Sequence, residues 1–290
     1  MIKLFCYRIF CGAFLGISTF APGFSGSIVA ISMGIYHDLV RIFSDPIREI
    51  RKSFPFIVPL TIGILISGVI FVFAFDFLFR TYVRSIYLLF VGLIAGNLPI
   101  MVAELRKYEF RTSYLLGGFI AFALTLGLSI FGIWNNPAAT ATVGAGIFLL
   151  ILSGFLTGAI ALMPGMSISA ILIVTGVYEE IIYYARSALS GDLAYLSLVI
   201  LFLVCWIVGL VLTAGRIRAF FRKAPGLANT TVLGFMAGSL CGIFIQSLFL
   251  EDPNFNWGLG VIMLVAGLGL SALFLALGRS MGKPSHEEEA

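Results

Sequence analysis

Long apolar stretches separated by short charged loops set the rhythm of this chain. Six runs, at 56–75, 85–103, 113–133, 195–215, 229–250 and 257–277, contain no Lys, Arg, Asp or Glu. Each is close to the ~20 residues that a helix needs to cross hydrocarbon. They predict six membrane-spanning helices. Two further apolar segments, 9–36 and 144–178, have a different pattern. A Pro-Gly pair interrupts each, Pro22-Gly23 in the first and Pro164-Gly165 in the second. Proline removes an amide donor and collides with the preceding helical turn, and glycine permits a sharp change of direction. In a bilayer such a break survives only where protein encloses it or where it lines a wet cavity.

The two broken segments are copies of one another. Gly12, Gly16, Pro22, Gly23, Ser25, Ser27, Ile31, Gly34 and Tyr36 recur 142 residues later as Gly154, Gly158, Pro164, Gly165, Ser167, Ser169, Ile173, Gly176 and Tyr178. The register continues downstream without a net gap, from Phe79-Arg80 and Phe221-Arg222 to Gly127-Leu128-Ser129 and Gly269-Leu270-Ser271. The predicted organisation is therefore two repeats, 1–142 and 143–284, followed by a charged tail, 285–290. Internal duplication with a broken apolar segment at the same place in each half is the sequence pattern of a secondary transporter, with the breaks marking the substrate site.

Loop charge decides whether each broken segment crosses or returns. If both are re-entrant hairpins and the N-terminus is cytoplasmic, 15 of the 18 Lys and Arg fall on the cytoplasmic side, leaving only Arg80, Arg84 and Arg186 outside. A single crossing by each would instead move the basic loop 37–55 outside. Positive charge is concentrated on cytoplasmic loops, which favours the hairpins. Each half then has one hairpin and three crossings. Three is odd, so the second half inserts upside down relative to the first. The expected fold class is an all-α integral membrane protein built of two inverted-topology repeats, with the hairpin tips approaching each other near the midplane.

Composition agrees with a membrane protein. The chain is 60% hydrophobic and 11% charged, against about 25% charged in soluble domains. Lys3 and Arg8 before an apolar stretch have the look of a signal peptide, but residues 12–36 have an internal twin, so this segment is expected to belong to the mature protein. The four cysteines form no CxxC, which argues against a disulfide framework or a zinc site. No Walker loop is present, and only His37 and His286 are available for histidine chemistry. No cofactor, no metal and no nucleic-acid partner is expected.

The chemistry-bearing residues lie at the hairpin turns. Pro22, Gly23, Ser25, Gly26 and Ser27 form the first tip, and Pro164, Gly165, Ser167 and Ser169 the second. The arm that follows each turn begins near the serines. Its first N–H groups lack helical partners and carry the positive end of the helix dipole. A serine hydroxyl adds a donor there. Two facing cradles of this kind suit a phosphate of about −1.5 to −2 charge. The alternative is a plain turn whose serines satisfy its own backbone. Arg80 and Arg222 occupy equivalent positions in the two halves and are candidates to receive an anionic head group on opposite faces, or simply to meet lipid phosphates. His37, Asp38, Glu179 and Glu180 follow the hairpins and are candidates for proton coupling, or else solvated helix ends.

The doubled Pro-Gly-x-Ser motif, with Gly34-Ile35-Tyr36 and Gly176-Val177-Tyr178 downstream, resembles that of the bacterial polyprenyl-phosphate transporters, and the likeness covers essentially the whole chain. The resemblance implies a flippase that returns undecaprenyl phosphate, the carrier lipid of cell-wall sugars, to the cytoplasmic leaflet, with the phosphate bound at Ser25, Gly26, Ser27, Ser167 and Ser169. Its expected partners are this lipid-linked phosphate and the surrounding membrane lipids. One departure stands in the second motif, where Ile168 takes the place of Gly26. A β-branched residue resists left-handed backbone, so a tighter second cradle is expected. The alternatives are a carrier of a small soluble anion, using the same cradles, and a membrane enzyme acting on a polyprenyl lipid, which the lack of paired histidines disfavours.

Overall fold

The computed structural model describes residues 2–20, 29–30, 33–35, 38–39, 41–42, 49, 51–109, 111–135, 143–161, 163 and 166–281. The described residues form an all-helical protein with no strand. The elements are α1 (Ile2–Phe20), α2 (Phe54–Leu105), α3 (Thr112–Asn135), α4 (Val143–Ile160), α5 (Ile168–Val174), α6 (Tyr178–Leu189), α7 (Leu193–Lys223), α8 (Pro225–Phe249) and α9 (Trp257–Met281). By length and composition four of them, within α2, α3, α7 and α8, can cross a membrane, or five if the bent pair α5–α6 counts as one span. The apolar side chains left exposed, such as Leu65, Ile70, Phe119, Leu124, Val211 and Val265, form the flank that faces lipid.

Helix α2 is too long to be one straight rod. Tyr82 has non-helical backbone, φ −141° and ψ 40°. The rings of Phe75 and Phe90 stack with centroids 6.0 Å apart, whereas fifteen residues of straight helix would separate them by about 22 Å. The chain therefore turns back at Tyr82, and α2 supplies two antiparallel arms. The aromatic cluster of Phe71, Phe75, Phe79, Tyr87 and Phe90 fastens them together.

Close crossings hold the helices, and glycine makes them possible. A Cβ at Gly12 would overlap the Leu60 carbonyl, and one at Gly158 would overlap the Trp206 carbonyl. The α1–α2 and α4–α7 crossings correspond residue for residue: Gly12 is nearest Leu60, and Gly154 meets Phe202, each partner 142 residues on. A second pair of crossings, α2–α9 and α3–α8, departs from this match. Gly92 meets the Leu264 carbonyl and Gly96 meets Ser271. In the other half the equivalents of those partners, Phe122 and Ser129, meet Gly238 and Gly242 rather than Gly234 and Gly238. The second crossing is thus displaced by four residues, one helical turn.

Helix α5 is the internal piece. It doubles back along α4, and the Ser153 hydroxyl donates to Thr175 Oγ1 at 2.9 Å. Ser153 lies seven residues before the end of α4, and Thr175 seven after the start of α5. α5 touches α1, α3, α4 and α8 as well as α6. It ends on Gly176 at φ +76°, with Gly176 N–H donating to Ile173 O and Val177 N–H to Leu172 O, both at 2.9 Å. This is a Schellman closure, which needs a left-handed residue after the cap. Gly34 repeats it at φ +68°, with Ile35 N–H donating to Ala30 O. The chain then bends by 108° into α6.

Replacing Gly158 with valine is expected to cost about 1–3 kcal/mol, since the new side chain meets backbone rather than a yielding side chain. Gly127→Ala, where an added Cβ meets nothing within 4 Å, should leave the melting temperature in detergent unchanged or raise it. Equal melting of the two variants would show that the crossings do not set stability.

Candidate functional site

The first of the two expected hairpin tips, with Pro22, Gly23, Ser25, Gly26 and Ser27, lies outside the described residues, as do Pro164, Gly165 and His37. The second tip is described from Met166 onward. Ser167 occupies the N-cap of α5 with extended backbone, φ −106° and ψ 125°. Its hydroxyl makes no capping hydrogen bond. It pairs instead with the Ser169 hydroxyl at 2.9 Å. Both serines are buried, Ser169 to 1% exposure. The N-cap position is as expected from sequence, while the capping bond is absent. Ile168 takes ordinary helical backbone as the first residue of α5. No left-handed turn is required there, which removes the reason for expecting a tighter cradle.

Polar groups follow α5 to its far end. Thr175 donates to Ile171 O at 2.9 Å while accepting from Ser153. Gln246 of α8 is buried and directs its Nε2 to Ser129 O and Val174 O, each at 3.4 Å. Its Oε1 has no hydrogen-bond partner among the described residues. The sequence reading missed Gln246, because a lone amide in an apolar span carries no spacing signal. Just beyond the bend, Tyr178 is packed edge-on against Phe79 and Phe90. Glu179 accepts a hydrogen bond from the buried Tyr87 hydroxyl at 3.0 Å, so this acid is joined to α2. Glu180, beside it, is half-buried. Asp38, from the first half, pairs with Arg41 at 3.2 Å and is well exposed.

Arg80 and Arg222 lie far apart. Arg80 sits at the turn of α2, close to the start of α7, because Arg186 of α6 and Arg80 meet the same acid. Arg222 lies at the other end of α7, about 44 Å further along that helix. Arg222 is exposed and enters no ion pair among the described residues. Arg80 differs: its Nε donates to Asp76 Oδ2 at 3.0 Å, and Arg186 Nε lies 3.0 Å from the same oxygen. Asp76 is 8% exposed, the two arginines 56% and 40%. Asp76 and Arg186 were not singled out from sequence. The i,i+4 spacing of Asp76 and Arg80 was a readable sign, but Arg186 arrives from 110 residues away in sequence. The third arginine of this end, Arg84, stacks over Phe255 at 4.2 Å, and its backbone N–H donates to Asp252.

An apolar cavity of about 450 Å³ opens between α1, both arms of α2 and α9. Ala13, Ile17, Ile70, Phe75, Leu93 and Leu270 help to line it, with Ser67 the one polar residue. Ile17 and Ile70 are exposed, so it opens on the apolar flank. No cluster of three or more His, Cys, Asp or Glu with metal-binding geometry occurs among the described residues.

Residues 15–254 match the undecaprenyl phosphate translocase-like family. A curated relative from Staphylococcus aureus (strain NCTC 8325 / PS 47), the polyprenyl-phosphate transporter, is 24% identical over 280 residues, which cover 94% of this chain and 95% of the relative. No solved structure matches the chain. A multi-pass apolar helical protein with a doubled Pro-Gly-x-Ser motif, matched over most of its length, this chain belongs to the undecaprenyl phosphate translocase-like family.

Proposed function

We propose that the protein is a flippase that carries undecaprenyl phosphate across the bacterial cytoplasmic membrane by alternating access, returning it to the cytoplasmic leaflet. The head group binds between the tips of two re-entrant hairpins in inverted halves, and both termini are cytoplasmic. The observation that carries this reading is the buried Ser167–Ser169 pair at the start of α5, whose hydroxyls engage each other rather than their own backbone. An arriving phosphate oxygen gains those donors together with the N–H groups that open the helix. Membership of the family and the name of the Staphylococcus aureus relative support the substrate class.

Two further features support the mechanism. The apolar cavity on the lipid-facing flank suits a prenyl chain better than a soluble anion, which needs a closed aqueous route. The tail never has to leave an apolar environment, so the protein mainly lowers the cost of moving the charged head. The one-turn displacement between the two equivalent crossings supports alternating access, since two halves of one design hold different arrangements. Exchange of those arrangements opens the site to the other side.

In proteoliposomes, an impermeant phosphatase added outside reports which leaflet holds the lipid phosphate. Ser25→Ala and Ser167→Ala are each expected to slow transport by at least about tenfold, the equivalent of losing a ~1.5–3 kcal/mol hydrogen bond to a charged group, with insertion and melting preserved. Wild-type transport by the double variant would refute the site.

The Tyr87–Glu179 hydrogen bond makes Glu179 the strongest candidate for coupling to a proton gradient. Wild-type transport should respond to an imposed pH difference, and Glu179→Gln should remove that response while leaving lipid binding in place. A Glu179→Gln protein that responds as wild type would exclude Glu179 as the coupling group.

A further inference from the structure

The geometry points to a second phosphate site, at the end of the molecule where α2 turns back, formed by the guanidinium groups of Arg80 and Arg186 held side by side on Asp76. We propose that this pair receives a phosphomonoester head group before it reaches the hairpin tips. The assignment deepens the flippase reading and rests on it for the identity of the lipid.

Charge is the first argument. One buried carboxylate answers one guanidinium, so two on Asp76 leave the cluster with a net positive charge. Both Nε atoms contact the same oxygen at 3.0 Å, so the cations sit no more than about 6 Å apart, where like charges repel. Asp76 maintains that approach. A pair assembled only for stability would need one arginine.

Donor geometry is the second. A guanidinium has five N–H donors; Arg80 spends its Nε–H on Asp76, and Arg186 meets the same oxygen as an ion pair. The Nη groups of both arginines have no hydrogen-bond partner among the described residues. Rings brace the two planes: Tyr183 lies 6.0 Å from Arg80 and Phe73 lies 5.9 Å from Arg186. Both arginines remain partly exposed while the acid beneath them is covered. Two braced forks with free edges match an oxyanion that offers several oxygens at once. A phosphomonoester has three terminal oxygens and a charge of about −1.5 to −2 at neutral pH. The phosphodiester of an ordinary phospholipid has two free oxygens and a single charge. The pair is therefore suited to select the monoester.

Asymmetry is the third. Arg80 has a repeat twin, Arg222, but the twin of Asp76 is Arg218 and the twin of Arg186 is Ser44. A packing device inherited from the duplicated unit would recur in both halves. Among the described residues this cluster occurs at one end, while the other end carries the exposed Arg216, Arg218 and Arg222, as expected where one end captures an anion and the other releases it.

The test uses the full-length protein in phosphatidylcholine nanodiscs and measures equilibrium binding of undecaprenyl phosphate, phosphatidylglycerol and inorganic phosphate. Arg80→Gln and Arg186→Gln are expected to weaken undecaprenyl phosphate binding by about tenfold or more. Arg186→Lys, which keeps the charge and removes the fork, should weaken it severalfold while folding as wild type. Asp76→Asn is the sharpest variant. It adds positive charge yet should weaken binding, because the two forks lose their alignment; tighter binding would reduce the site to a diffuse basic patch and overturn the proposal. The distant Arg111→Gln controls for loss of charge alone. Phosphatidylglycerol competing as well as the monoester would also overturn it, leaving only interfacial arginines that meet bulk lipid. If Arg186→Gln binds normally and Ser167→Ala does not, the arginine pair is wrong and the hairpin reading stands. If inorganic phosphate binds and is lost in Arg186→Gln, while the lipid phosphate never binds, the pair stands and the lipid reading falls.

Discussion

The structure depends on how a broken helix is accommodated inside an apolar body. Hydrocarbon offers no partner to an unpaired backbone group, so a helix interrupted at membrane depth must be enclosed by protein. α5 meets this condition fully. Four other helices surround it besides its continuation α6, its C-terminal carbonyls are closed by a Schellman motif, and its end is tied to α4 through Ser153 and Thr175. The same requirement explains why polar residues that look misplaced in apolar spans, Gln246 and Ser129 among them, gather around it.

Enclosure on this scale requires helices to pass one another at backbone contact. Glycine at Gly12, Gly92, Gly158 and Gly234 removes the Cβ that would strike a facing carbonyl. Without hydrophobic driving force between helices in lipid, such close packing is a main source of association. It also makes each crossing a discrete register rather than a continuous slope. That is why two crossings related by the repeat can differ by one whole turn. A protein built this way has stepwise alternatives available, as a carrier with two access states requires.

Much of this was legible in the sequence. The long uncharged runs announce helices, and α4 and α5 lie on either side of the segment that carries the second Pro-Gly pair; the first pair lies outside the described residues. Gly34 and Gly176 stood out as matching positions of the repeat, and both adopt the left-handed backbone that glycine allows. The N-cap at Ser167 was legible as well, because serine before an apolar run is a start signal. Its hydrogen-bond partner was not, since Ser169 competes for the hydroxyl only once the helix has formed. The reversal at Tyr82 was legible from the charged break between the runs 56–75 and 85–103, although no proline or glycine carries it; the ring cluster around Phe75 and Phe90 that holds it was not. The contacts Tyr87–Glu179 and Asp76–Arg186 join residues about a hundred positions apart, and a single sequence has no periodicity that reports such distances.

The central claim is that a lipid-linked phosphate is the ligand and that the hairpin serines hold it. Native mass spectrometry of the purified protein with undecaprenyl phosphate, and with inorganic phosphate and a neutral polyprenol as competitors, tests both halves together. The account predicts selective retention of the lipid phosphate by the wild-type protein, lost when Ser25 and Ser167 are both alanine. Indifference to the lipid with retention of inorganic phosphate would contradict it and identify a carrier of a small soluble anion.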